Sequence, residues 1–229
     1  MLNKFNLKKL IIGTANFGQN YGLNNKKIKK KEILKILNYS YKNWVRIIDT
    51  AINYGNSEKI IGKLKNKNWK VISKIPNISE NIKNINDHLY KLILKTQKNL
   101  NTKIVYAILI HNPQNLLDKR GKKIYNTLLN FKKIGLINKI GVSIYTFDQI
   151  TILMNKYNFD IIQLPFNLID RRLLNKNLLK KLKKNKIEVH TRSIFLKGLL
   201  LKDKLPNKFK KWQDIWSKIG VLKKNEKVN

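Results

Sequence analysis

Four residues at the ends of short apolar runs are of types that can move a proton onto an oxygen. Asp49 closes the run 46–50, and Tyr54 follows on a turn, ahead of Ser57 and a helical segment. Lys74 closes the run 70–74, and His111 follows the run 104–110. A phenol with an ordinary pKa of ~10 donates a proton near neutrality only beside a polarising partner. On adjacent parallel strands Lys74 would lie beside Asp49. The carboxylate then keeps the ammonium charged and in place, and the ammonium favours the phenolate form of Tyr54. His111 can donate to a carbonyl oxygen or pass a proton to the phenol. The set amounts to a polarised phenol aimed at a carbonyl, suited to protonating the alkoxide that hydride addition leaves. Singly, each has a plain structural explanation: a helix-capping aspartate, a lysine snorkelling to a rim, a turn histidine beside Asn112 and Pro113. Four together at the ends of three neighbouring strands favour chemistry, because those separate explanations would all have to coincide.

Such residues need a scaffold that brings strand ends together. Apolar runs at 9–13, 46–50, 70–74, 104–110, 139–143, 160–164 and 187–192 read as strands, several of them apolar throughout, as parallel strands covered on both faces are. Amphipathic segments 30–42, 57–65, 79–100, 121–134, 147–157 and 173–184 lie between them. In 79–100 the residues Ile82, Ile85, Leu89, Leu92 and Ile93 recur at helical spacing, and Ser57 and Ser79 stand as expected N-caps. Strand, helix, strand without a break predicts right-handed βαβ units and a parallel α/β sheet. An open dinucleotide-binding sheet would carry G-x-G-x-x-G after its first strand, whereas this chain has Gly13-Thr14-Ala15-Asn16-Phe17-Gly18. Polar residues end many strands (Asp49, Lys74, His111, Ser143, Gln163, Arg192), and a barrel gathers such ends around one mouth. The expected fold is therefore a (β/α)8 TIM barrel, incomplete at about seven βα units. Beyond Leu201 only the amphipathic segment 209–219 and the polar run 223–229 remain, so the eighth strand and helix are expected to be missing. No linker composition divides the chain, and residues 1–229 are read as one domain.

Composition narrows the function classes. The chain has 229 residues, enough for one sizeable core, and its 42% hydrophobic content is that of a globular protein. Without cysteine it has neither disulfides nor thiolate metal sites. His88 and His190 lack metal-ligand spacing and read as structural; no metal is expected. Residues 1–10 lack a signal-peptide core, and Asn or Lys interrupts every apolar run before it reaches membrane-spanning length, so a cytoplasmic protein with no membrane partner is expected. The formal charge of +36 could mark a nucleic-acid binder. However, arginine occurs only at 46, 120, 171, 172 and 192, and lysine saturates helix faces from end to end. Readers of phosphates and bases favour the arginine fork, so the charge reads as compositional bias and no specific nucleic-acid partner is expected. Nothing in the sequence sets an oligomeric state.

In the segments Gly13-Thr14-Ala15, Asp49-Thr50-Ala51-Ile52-Asn53-Tyr54-Gly55, Ile72-Ser73-Lys74, Leu109-Ile110-His111-Asn112-Pro113, Ile140-Gly141-Val142-Ser143 and Gln163-Leu164-Pro165-Phe166-Asn167, the chain resembles the aldo/keto reductase family. The resemblance runs from about residue 9 to about residue 201, with the motifs in the family's order. It implies a barrel that uses NADPH, or NADH, to reduce a small-molecule aldehyde or ketone. It also implies Tyr54 as general acid, Asp49 and Lys74 as its tuning pair, and His111 as orienter of the carbonyl. Gly13, Thr14 and Asp49 fall among the cofactor-binding positions, and Ser143 and Gln163 match those that bind the nicotinamide carboxamide. Ile144 stands where the family usually has asparagine. Arg192 stands where the family often has an aromatic that stacks on the nicotinamide, and its planar guanidinium is expected to stack instead. Ser193 and Leu196 match pyrophosphate-binding positions, and Phe17, Tyr21 and Asn112 are expected to line the substrate pocket. After Leu201 nothing matches the segment that holds the adenosine phosphate. The alternative is thus a truncated, non-catalytic member or a nicotinamide-nucleotide-binding protein.

Overall fold

A computed structural model describes residues 7–65 and 68–225. Every expected strand is present: β1 (Ile11–Gly13), β2 (Ile47–Asp49), β3 (Lys70–Ile75), β4 (Val105–Ile110), β5 (Ile137–Ser143), β6 (Ile161–Pro165) and β7 (Glu188–Arg192). All pairs are parallel and the spatial order is the chain order, β1 to β7. Between them run α1 (Ala15–Gly18), α2 (Lys30–Lys42), α3 (Ser57–Leu64), α4 (Ile85–Leu100), α5 (Gln114–Leu117), α6 (Gly121–Lys133), α7 (Asp148–Lys156) and α8 (Lys176–Lys184), with α9 (Gln213–Asn225) after β7. The sheet curls into a half-barrel, an incomplete (β/α)8 barrel. Among the described residues β1 and β7 each have only one strand neighbour. No helix among them is long and apolar enough to cross a membrane.

Period-two alternation sorts the strand residues between two layers. Ile48, Ile108, Ile110, Ile140, Val142, Ile162 and Leu164 face outward and pack with Ile33, Leu37, Ile61, Leu89, Ile93, Leu128 and Leu153 of the helices in one continuous core. Burying each such side chain is worth roughly 1.5–3 kcal/mol, so the helices are held by the sheet and not by their own lysine-rich propensity. The inner face carries a smaller cluster of Ile72, Ala107, Leu109 and Ile161. Leu200, Trp216 and Ile219 form a third cluster of their own, backed by Leu196, Leu199 and Leu205. Over the gap between β7 and β1 the Leu23 N–H donates to the Lys197 carbonyl at 2.9 Å, tying the loop after β1 to the segment after β7.

Two expected caps fall elsewhere. The helix expected from 79 begins at Ile85, where Asn84 Oδ1 accepts from the Asp87 N–H at 3.1 Å. The carbonyls of Ile78 and Ser79 are instead taken by Arg120, at 3.1 and 2.9 Å, which holds 78–79 as a loop. Ser57 is the first residue of α3 and not its cap; its hydroxyl is buried and used for tertiary bonds described below.

Candidate active site

The mouth of the half-barrel is formed by the carboxyl ends of the strands. Asp49 pairs in register with Ile72, so Lys74 lies one inner-face step further along β3. The Lys74 side chain is 1% exposed, and its ammonium donates to both Asp49 oxygens, at 2.8 and 2.7 Å, and to the Thr50 carbonyl at 2.8 Å. Burial pulls the lysine pKa down, and the carboxylate opposes that. From across the barrel Gln163 Nε2 donates to Asp49 Oδ1 at 3.1 Å, and the Ser143 hydroxyl donates to Gln163 Oε1 at 3.3 Å. Four side chains from β2, β3, β5 and β6 thus form one hydrogen-bonded layer.

Tyr54 sits above this layer on a pinned turn. Gly55 has φ +57°, and a Cβ there would lie 2.5 Å from the Gly18 carbonyl oxygen; a Cβ on Gly18 would lie 1.8 Å from the Tyr54 carbonyl oxygen. Only glycine at both positions lets α1 press against the turn. Below it, the Thr50 hydroxyl donates to Ser57 Oγ at 3.0 Å, and Ser57 Oγ lies 3.1 Å from the Thr14 carbonyl and 3.0 Å from Thr14 Oγ1. Thr14 in turn donates to the Asp49 carbonyl at 2.9 Å. The Lys74 ammonium lies 5.2 Å from the centroid of the Tyr54 ring, and the His111 ring meets that ring edge-on with centroids 6.0 Å apart. Burial first, then the Asp49 charge, pushes the Tyr54 phenol well above its ordinary value, with Arg192 opposing. The expected tilt toward phenolate is reversed, because Lys74 is bonded to Asp49 and burial dominates. His111 is lowered to about 4 by burial and by the Lys74 and Arg192 cations, against the pull of Asp49. At neutral pH both side chains are uncharged.

The other expected positions divide. Gly13 is exposed, and a Cβ on it would meet open space. Thr14 is fully buried with its hydroxyl bonded as above. Ile144 is buried in the main core, so it offers no amide contact, and its carbonyl accepts from Arg192 Nη2 at 2.9 Å. The Arg192 guanidinium lies 4.5 Å from the centroid of Tyr145, and its Nε is buried without a partner, as is His111 Nδ1. Ser193 and Leu196 lie in a segment where Ser193, Leu196, Lys197 and Gly198 all have positive φ, a strained run for three non-glycine residues. Phe17 is 1% exposed and packs into the core, so the expected pocket-lining residue serves packing. Tyr21 is exposed beneath the Lys197 ammonium, 5.6 Å away, and lines a cleft of about 340 Å3 with Asn16, Lys26 and Lys197. Asn112 donates to Asn77 at 2.7 Å and accepts from the Gln114 N–H at 3.1 Å, so both ends of its amide are engaged. Tyr145 is a member that sequence reasoning missed. Its signal was an aromatic two residues beyond the strand-ending Ser143. Among the described residues no three His, Cys, Asp or Glu gather as metal ligands.

Residues 9–224 match the model of the aldo/keto reductase family. No curated protein sequence matches the chain. Among solved structures, a Pseudomonas aeruginosa protein described as an aldo-keto reductase superposes with a TM-score of 0.67 at 22% identity, covering 81% of this chain and 73% of that one. The holo form of an aldo-keto reductase from Bacillus halodurans gives 0.71 at 17%, covering 87% and 66%. A Klebsiella pneumoniae aldo/keto reductase in complex with NADP and acetate gives 0.66 at 16%, covering 84% and 66%. These likenesses establish the fold, and the family match spans all seven strands. The chain belongs to the aldo/keto reductase family.

Proposed function

We propose that this protein is a nicotinamide-dependent carbonyl reductase, one domain over 1–229, that turns a small aldehyde or ketone into an alcohol in the cytoplasm with NADPH or NADH. The observation that carries the reading is the buried Lys74–Asp49 pair, its ammonium 5.2 Å from the centroid of the Tyr54 ring, with His111 edge-on beside that ring. The mouth fits a nicotinamide. Ser143 Oγ keeps its acceptor lone pairs and Gln163 Nε2 its second N–H for an amide, Gly13 leaves open space, and Arg192 presents a planar group whose Nε has no partner. NADP and NADPH are bound by the Klebsiella pneumoniae relatives, which supports a nicotinamide cofactor here.

When bound, the cofactor supplies the hydride. His111, neutral at working pH, can donate a hydrogen bond that orients the carbonyl oxygen. Tyr54, held protonated by burial and Asp49, gives its proton to that oxygen as alkoxide character develops. Lys74 and Asp49 keep the layer beneath rigid, and Lys74 supplies positive charge as the phenolate forms. Proton donation of this kind is worth about 10²–10⁴ in rate. The test is carbonyl-dependent consumption of NADPH by wild type and Tyr54→Phe across a panel of aldehydes. A loss of that size with cofactor binding retained is expected, and equal rates would remove Tyr54 from the role. The gap that the described residues leave between β7 and β1 favours a second reading, a nicotinamide-nucleotide-binding protein without turnover. Saturable NADPH binding with no carbonyl-dependent oxidation would select it.

A further inference from the structure

We propose that Arg192 makes this site discriminate between the two redox states of the cofactor, favouring the neutral reduced nicotinamide and disfavouring the cationic oxidised one. The inference rests on the nicotinamide reading of the mouth given above. Arg192 ends β7 beside Pro165 and donates to the carbonyl of Ile144, the residue after Ser143. It therefore stands at the strand ends that carry Ser143 and Gln163, the pair placed at the carboxamide positions.

Its charge is fixed and uncompensated. Among the described residues no carboxylate lies within ion-pair distance of Arg192. Asp49 is taken twice by Lys74, and Asp170, the other carboxylate that feels this cation, is clasped by Arg172 at 2.8 and 2.7 Å. With Tyr54 and His111 neutral, the charges of Asp49, Lys74 and Arg192 leave the mouth with one net positive charge. The guanidinium cannot easily swing away, since it is stacked on Tyr145 and bonded to the Ile144 carbonyl. Its field reaches the reacting groups: it opposes the rise at Tyr54 and helps to lower His111.

An oxidised nicotinamide ring carries a positive charge that the reduced ring lacks. An aromatic side chain in this place would attract that charge through its π face, whereas a guanidinium repels it. Were the ring to lie against this guanidinium, the repulsion between like charges at an effectively intermediate dielectric would separate the two affinities by on the order of tenfold or more. Arg192 would then help expel the oxidised cofactor after turnover and bias the enzyme toward alcohol formation.

The test is calorimetric titration of the full chain with NADPH and with NADP⁺, reading the ratio of the two dissociation constants. The two forms share their phosphates, so most of the binding surface cancels in the ratio. Wild type is expected to hold NADPH at least about tenfold tighter. Arg192→Gln should narrow the ratio by about that factor, chiefly by tightening NADP⁺, and Arg192→Lys should preserve it because the charge remains. NADPH carries one more net negative charge than NADP⁺, and the chain's overall +36 would favour it as well. Lys122→Gln, an exposed site on α6 outside the barrel, controls for that and should leave the ratio unchanged. An unchanged ratio in Arg192→Gln, or an equal shift in Lys122→Gln, overturns the inference and leaves the nicotinamide reading standing. Binding of neither form removes both.

Discussion

His111 and Tyr54 show how far residue identity goes and where surroundings take over. Both are uncharged at neutrality: His111 because burial and the Lys74 cation hold it near 4, Tyr54 because burial and Asp49 hold its proton. The proposed carbonyl reduction should therefore show a flat kcat/KM from about pH 5 up to the ordinary phenol range near ~10, and a bell centred on neutrality would contradict these protonation states. Stability has a sign as well. The unfolded chain protonates His111 at ~6.5 and the folded chain only near 4, so the unfolded state binds more protons in that window. Stability is unaffected above ~6.5 and falls as the pH drops toward 4, and His111→Gln should reduce that slope in urea unfolding. The placement of Asp49, Lys74 and His111 was legible because a strand end fixes its position within its own short run. The direction of the Tyr54 shift was not legible, since it depends on burial created by other segments. The surroundings of Thr14, Phe17 and Asn112 were not legible either, because their side chains meet partners distant in sequence.

At the scale of elements, hydrophobic periodicity located strands and helices well and their ends less well. Asn84, not Ser79, caps α4, because Arg120 from a later segment claims the carbonyls at 78 and 79. The contact of α1 with the 54–57 turn is the element-level device that aims Tyr54, and it rests on Gly18. Gly18→Ala would set a Cβ 1.8 Å from the Tyr54 carbonyl oxygen and 2.3 Å from the Ser57 nitrogen, both backbone atoms that cannot step aside cheaply. Overpacking of this kind costs about 1–3 kcal/mol. The variant should fold with a lowered thermal midpoint and lose kcat by more than its cofactor affinity, because the turn that moves carries the proposed acid. A loss confined to cofactor affinity would detach this contact from the aim of Tyr54.

Over the whole molecule, charge sets the balance between folding, self-association and unfolding. With 49 basic residues against 13 acidic ones, most lysines have no carboxylate to meet, and the ion pairs seen are few beside the repulsion. The same repulsion protects the outer edges of β1 and β7, which have no strand beside them among the described residues and without it would be templates for pairing with another sheet edge. Like charges on a compact surface destabilise the folded state more than the expanded one, and the Debye length falls from about 30 Å at 0.01 M salt to about 10 Å at 0.1 M. Added sodium chloride should therefore raise the thermal midpoint over that range, the opposite of the response of a fold held by surface salt bridges. Light scattering over the same titration should rise with it, as screening lets the two open edges approach those of other copies. A midpoint that falls with salt would mean that the few ion pairs, Lys132–Asp160 and Lys139–Glu188 among them, outweigh the repulsion that a net charge of +36 brings.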